Sequence, residues 1–144
     1  MMASDEPRFS RRRFAVAWKS FLAYLAEKRG NFDRAIGLMD EAADILPLPT
    51  VKVRRAMMLL RAERTRDAHE AFDALRQEFK GSEKASEQYL GHYCTAMLSL
   101  MQPGSGQWAY EAKQAKAIKC RRSLKAAFPL ATVDEIYDQI KPRR

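Results

Sequence analysis

Apolar residues recur along this chain at steps of three and four, with polar and charged positions between them. Phe14, Trp18, Phe21, Leu22 and Leu25 make a first stripe, and Ile36, Met39, Ala42, Ala43 and Leu46 a second. Met57, Met58, Leu59 and Leu60 mark a third segment that is apolar on more than one side. Ala68, Ala71, Phe72 and Leu75 form a fourth stripe, Tyr89, Tyr93, Ala96, Met97 and Leu100 a fifth, and Ala117, Cys120, Leu124 and Phe128 a sixth. This spacing places the apolar side chains on one face of a helix, so each stripe is expected to be the core-facing side of an amphipathic helix. No segment alternates with period two over a useful length, and no sheet is expected. The expected class is all-α.

The residues between the stripes agree. Gly30-Asn31 is a turn, Pro47, Pro49 and Thr50 stop the second helix and start the third, and Gly81 ends the fourth. Ser82 is a candidate N-cap for the fifth. Residues 102–107, QPGSGQ, form a flexible loop. A last helix opens at Thr132, with Glu135 three residues on as its capping-box partner. Residues 1–9 and the terminal KPRR are expected to be loose.

Six helices in short pairs invite a search for a period near ~34 residues. Ala23, Ala56 and Gly91 are equivalent small positions, separated by 33 and 35, and Ala35 and Ala68 are separated by 33. Small residues at such positions let paired helices cross closely.

Residues 27–47, EKRGNFDRAIGLMDEAADILP, resemble the second half of a tetratricopeptide repeat. Gly30, Phe32, Ala35, Met39, Ala42 and Pro47 stand at that motif's spacing, and Leu22-Ala23 stand where its first helix has Leu-Gly. In a second unit Ala56, Leu59, Ala68 and Phe72 fit; Glu63-Arg64 occupy the turn where Gly is expected, and Leu75 replaces a small residue. A third unit keeps Leu90-Gly91 and then departs from the motif. The units run over about 14–47, 49–82 and, degenerate and carrying the 102–107 loop, 83–128, with a C-terminal helix at 132–140. The resemblance implies one domain, a right-handed stack of antiparallel helical hairpins with a concave inner surface and a C-terminal cap.

It also implies a binding groove. Tyr24, Met57 and His92 would share an inner position, with Ser20, Val53 and Gln88 four residues before them and Glu27, Leu60 and Thr95 three after. Lys28 and Arg61 flank the groove and would favour an acidic partner. Aromatic, Met and Arg side chains are frequent anchors of recognition surfaces. For Met57 and Leu60 a plain core role competes with this reading. The Lys and Asn clamp that some repeats of the family use for a peptide's C-terminal carboxylate is absent from these positions, so a chaperone-tail adaptor is not expected.

Composition narrows the picture further. A chain of 144 residues, 47% hydrophobic and 31% charged, suits one globular domain and neither a disordered segment nor a membrane span. Cys94 and Cys120 lack metal or redox spacing, so they are expected as small buried thiols in a reducing compartment, with a bridge between them left open. The net charge is +8, and the excess is greatest over residues 111–144, which carry nine basic and four acidic groups. Lys113, Lys116, Lys119, Arg121, Arg122 and Lys125 crowd the sixth helix, Lys141, Arg143 and Arg144 follow, and Lys52, Arg54, Arg55 and Arg61 add a second patch. Such charge attracts phosphates. Stacking aromatics are not interleaved with it in sequence, Trp108 and Tyr110 being nearest, so a nucleic-acid site is the second choice after a solvated face.

Little catalytic chemistry is legible. His69 and His92 lie 23 residues apart, and His92 and Cys94 point to different sides of a helix. The acidic group Asp40, Glu41 and Asp44 suits a solvated helix face, and GSG at 104–106 lacks the strand and Gly-Lys-Ser/Thr context of a phosphate loop. The expectation is a protein without enzymatic activity, cofactor or metal. It would act as an adaptor binding a peptide or protein segment, with self-association left open and no membrane partner. A small-ligand role for His92 is a distant third reading.

SRRRFAVAW, residues 10–18, opens like a twin-arginine export signal. Its apolar run is broken by Lys19, ends at Glu27-Lys28-Arg29 and meets no small-residue cleavage site. It also supplies the first helix of the best repeat unit. A cytoplasmic protein whose Arg11–Arg13 cluster begins a structural helix is expected.

Overall fold

The structure, a computed structural model, describes residues 10–102, 106–130 and 132–141. All regular secondary structure among the described residues is helical: α1 Arg11–Lys28, α2 Phe32–Ile45, α3 Pro49–Arg61, α4 Thr65–Phe79, α5 Ala85–Leu100, α6 Gln107–Ala117, α7 Arg122–Ala127 and α8 Val133–Ile140. The expectations for residues 1–9, for residues 104 and 105 of the GSG run, and for Arg143 and Arg144 lie outside the described residues.

Local chemistry sets the helix ends. Ser10 caps α1 by accepting from the Arg13 amide at 3.0 Å, and Asn31 caps α2 by accepting from the Arg34 amide at 3.2 Å. Pro49 occupies the first turn of α3, where its missing N–H costs nothing. Thr132 and Glu135 form the reciprocal capping box expected for α8, with bonds of 3.1 and 3.2 Å. Ser82 does not cap α5 directly. That helix starts at Ala85, and the Ser82 hydroxyl instead accepts from the Lys84 amide and donates to Glu87.

Consecutive helices pack on one another from α1 to α6, and α3 also touches α5 and α8. The core therefore centres on α3, whose Val51, Val53, Ala56, Met57, Met58, Leu59 and Leu60 are all buried. A 33-residue offset recurs in the backbone. Asn31 and Arg64 donate to Ala26 and Leu59 across the first two turns, and Ala35 and Ala68 donate to Asn31 and Arg64. Ala23, Ala35, Ala56 and Ala68 are fully buried at helix contacts, and a Cβ at Gly91 would lie 3.4 Å from that of Phe79.

Two expectations are corrected. The first stripe does not face the core: Phe14, Trp18 and Phe21 are 70%, 52% and 50% exposed, and Leu25 is half-buried. The buried side of α1 is Val16, Ala23, Ala26 and Glu27. Small residues there let α1 lie close to α2, and that close approach turns the larger apolar residues outward. The sixth stripe is not one helix. α6 ends at Ala117, Ile118 to Arg121 are extended, and α7 starts afresh. The bend lets Leu124 and Phe128 reach the core, with Ile118 and Cys120 packed at its edge, while Ala117 is exposed.

Candidate functional site

Inside α1 the one acidic residue, Glu27, is fully buried. It is matched by Arg61 of α3, which is 6% exposed and binds it through both Nε and Nη2, the latter at 2.9 Å. The remaining Arg61 nitrogen, Nη1, donates to the backbone carbonyl of Gln139 in α8 at 3.0 Å. A buried ion pair keeps its charges only when the leftover donors are also satisfied, and here α8 supplies the acceptor.

Gln139 is held on three sides. Its amide nitrogen donates to the Pro129 carbonyl at 2.7 Å, and its side-chain oxygen accepts from the Tyr93 hydroxyl. Tyr93 also meets Met57 Sδ at 3.5 Å and stacks edge-on against Phe128, with ring centres 5.2 Å apart. Desolvation inside this packing, reinforced by the neighbouring Cys94, pushes the Tyr93 phenol well above its ordinary value. Desolvation likewise raises the thiol of the buried Cys94; both cysteines are free.

Beside this cluster lies a cavity of about 300 Å³, lined by Ser20, Phe21 and Tyr24 of α1, Arg54, Met57 and Arg61 of α3, Tyr93, Phe128 and Gln139. Arg54 stacks over the Phe128 ring at 5.6 Å, and burial lowers its pKa. Lys28 sits over the Tyr24 ring at 5.3 Å.

The expected groove residues are thus divided. Tyr24, Met57 and Arg61 share one cavity, but Met57 is only 3% exposed and Arg61 is engaged by Glu27 and Gln139. Gln88 and His92 line a separate depression of about 620 Å³, where His92 Nδ1 lies 2.7 Å from Glu111 Oε2. The α5 residue that meets Met57 is Tyr93, one position past the expected His92. Tyr93, Phe128 and Gln139 were missing from the sequence reading of the site. No local pattern announces contacts made across 36 to 78 residues.

The basic residues also separate. Lys52 pairs with Glu78 at 3.0 Å, Arg55 with Asp40 and Arg61 with Glu27, so the patch expected on α3 is largely neutralised. Lys113 and Lys116 lie on α6, Lys119 and Arg121 in the connection, and Arg122 and Lys125 on α7. Trp108, Lys113 and Lys116 of α6 line a groove of about 510 Å³, to which folding brings Lys125 of α7 and Glu135 of α8. Among the described residues no three His, Cys, Asp or Glu side chains are arranged to hold a metal, and no helix is long and apolar enough to cross a membrane.

Compared with known protein families, curated proteins and solved structures, the chain matches none of them.

Proposed function

We propose that this protein is a non-catalytic interaction module, a tetratricopeptide-like stack of helical hairpins that binds a helical or extended segment of another protein. Its binding face is the one bounded by Tyr24, Arg54, Met57 and Tyr93. The observation that carries the reading is the seat of α8. A short amphipathic helix of the chain itself lies against Arg61 and Tyr93, which bond its Gln139, and a cavity remains open beside it. A face that receives one helix through a few fixed polar contacts and an apolar floor has the makings of a segment receptor. The 33-residue recurrence of the turn hydrogen bonds supports the repeat architecture. Rigid hairpins would hold Tyr24, Arg54 and Tyr93 in place before binding, which lowers the ordering cost of association.

The test is capture from nuclease-treated lysate with the tagged protein beside a Tyr24→Ala/Arg54→Ala variant. A protein present with the wild type and absent with the variant is the expected result. Identical catches from both would contradict the reading.

The groove of Trp108, Lys113, Lys116 and Lys125 favours a second reading, a nucleic-acid-associated protein, since an aromatic face beside cations is what single strands stack on. It requires copurifying absorbance at 260 nm and binding that weakens steeply with salt.

A further inference from the structure

α1 is apolar on two opposite sides. Val16, Ala23 and Ala26 face the core, and Phe14, Trp18 and Phe21, with the half-buried Leu25 between them and α1's end, face away from it. A helix apolar all round is normally buried on both sides, yet no described part of the chain covers the outer one. The row follows steps of four and three, and the Trp18 and Phe21 rings lie 5.9 Å apart. Exposure is 70% at Phe14 and 52% and 50% at Trp18 and Phe21, so the row is most exposed at the end beside Arg11.

The exposed charges on α1 and its C-cap have one sign. Arg11, Arg12 and Arg13 open the helix, Lys28 and Arg29 close it, and its single carboxylate, Glu27, is fully buried. On the neighbouring α2, Glu41 is bonded to Lys19 and Asp40 to Arg55, and the exposed Asp44 precedes Ile45, whose carbonyl accepts from Arg12. A second copy of α1 packed along this row would set a cationic end against a cationic end in either orientation. A surface that is both anionic and able to receive protruding Phe and Trp rings matches the charge and the chemistry together. Such rings settle at the headgroup level of bilayers, and basic residues beside them engage lipid phosphates. A helix of 18 residues is about 27 Å long and would lie flat on such a surface.

We propose that the outward face of α1 is a membrane-surface contact, in which Phe14, Trp18 and Phe21 enter the interface of an anionic bilayer and Arg11, Lys28 and Arg29 engage its lipid phosphates. This contact adjoins the segment-binding face at Phe21, which also lines the cavity beside α8, while Phe14 and Trp18 lie outside that cavity.

The full chain carrying Trp108→Phe leaves Trp18 as its only tryptophan. It is mixed with vesicles of equal parts phosphatidylcholine and phosphatidylglycerol, and with vesicles of phosphatidylcholine alone. The expected result is cosedimentation with the anionic vesicles and a blue shift of Trp18 emission. Partitioning should fall by about tenfold or more in Arg11→Gln/Arg29→Gln and in high salt. It should be lost in Phe14→Ser/Trp18→Ser, followed by sedimentation alone and with unchanged circular dichroism as the check on folding. Three outcomes would overturn the proposal. One is vesicle binding that neither variant alters. Another is no vesicle binding together with a concentration-dependent dimer abolished by Phe14→Ser/Trp18→Ser, which assigns the face to a second copy. The third is no vesicle binding by a monomer, which assigns it to a protein partner.

Discussion

Glu63 has φ of 64°, and Gly30, 33 positions earlier, has φ of 78°. Both residues close the turn between paired helices, and both are followed by an amide that reaches back to the preceding helix. The backbone there must enter the left-handed region, which costs a residue with a Cβ about 1 kcal/mol or more and glycine little. Glu63→Gly should therefore raise stability by about 0.5–1 kcal/mol, and Gly30→Ala should lower it by about 1 kcal/mol, read from urea unfolding midpoints. Glu63 thus takes the same left-handed backbone geometry as Gly30 without being a glycine. A second effect at this scale is alkaline lability. Burial raises Tyr89, whose hydroxyl donates to the Phe128 carbonyl at 2.6 Å, from 10.0 to about 12, and raises Tyr93 and Cys94 as well. Below the ordinary values both folded and unfolded chains keep these protons. As pH rises past them the unfolded chain ionises first, so stability present at neutral pH is lost progressively between about pH 10 and pH 12 for Tyr89. Chemical unfolding across that range should show the decline, and Tyr89→Phe should make it shallower.

Among the elements, α8 depends most on distant partners. Its helix is short, and its hold on the body runs through Gln139 to Arg61 and Tyr93 and through Ile136, which is fully buried in the core. Glu27→Ala would leave Arg61 buried without its carboxylate and should cost about 3–5 kcal/mol, while Glu27→Leu/Arg61→Met should recover most of that loss. Both variants should loosen α8, seen as faster amide exchange over residues 133–140. A double variant as unstable as Glu27→Ala would contradict this view of the pair. Helix ends were largely legible from sequence, because capping residues, prolines and turn glycines act locally: Asn31, Pro49 and the Thr132–Glu135 box all behave as their chemistry dictates. The facing of α1 was not legible. Its outer stripe carries the larger apolar residues, whereas its packed side is built from alanines and a glutamate that count little toward hydrophobicity. The small-residue register through Ala23 pointed to the packed side, and it conflicted with the stripe of Phe14, Trp18 and Phe21. The break between α6 and α7 was hidden for a related reason, since Ala117 and Phe128 fit one helical period although folding requires the chain to turn between them.

At the scale of the whole molecule, the two proposed surfaces adjoin along α1 and share Phe21. One joins α3, α5 and α8 around the cavity of Tyr24 and Arg54; the other presents Phe14 and Trp18 to the outside. A protein held at an anionic surface by one side and receiving a segment on the other would recruit its partner to that surface. Removing Phe14 and Trp18, which lie outside the cavity, should then leave segment binding intact, which equilibrium titration with the captured partner can check. The groove residues drawn from the repeat pattern were half legible. Tyr24 and Met57 do line one cavity, but Tyr93 stands at the point where His92 was expected. The presence of α8 on this face could not be inferred, because Gln139 contacts residues 46 and 78 positions away.

The most direct measurement is a fluorescence anisotropy titration of a labelled peptide of residues 132–144 with a chain ending at Leu130, whose helix content is verified by circular dichroism. If the face around Arg61 and Tyr93 is a helix receptor, the peptide binds saturably, and binding is strongly weakened by Tyr93→Phe in the receptor and by Gln139→Ala in the peptide. A folded receptor that shows no saturable binding, or binds both altered forms equally well, would contradict the claim that this face recognises a helical segment.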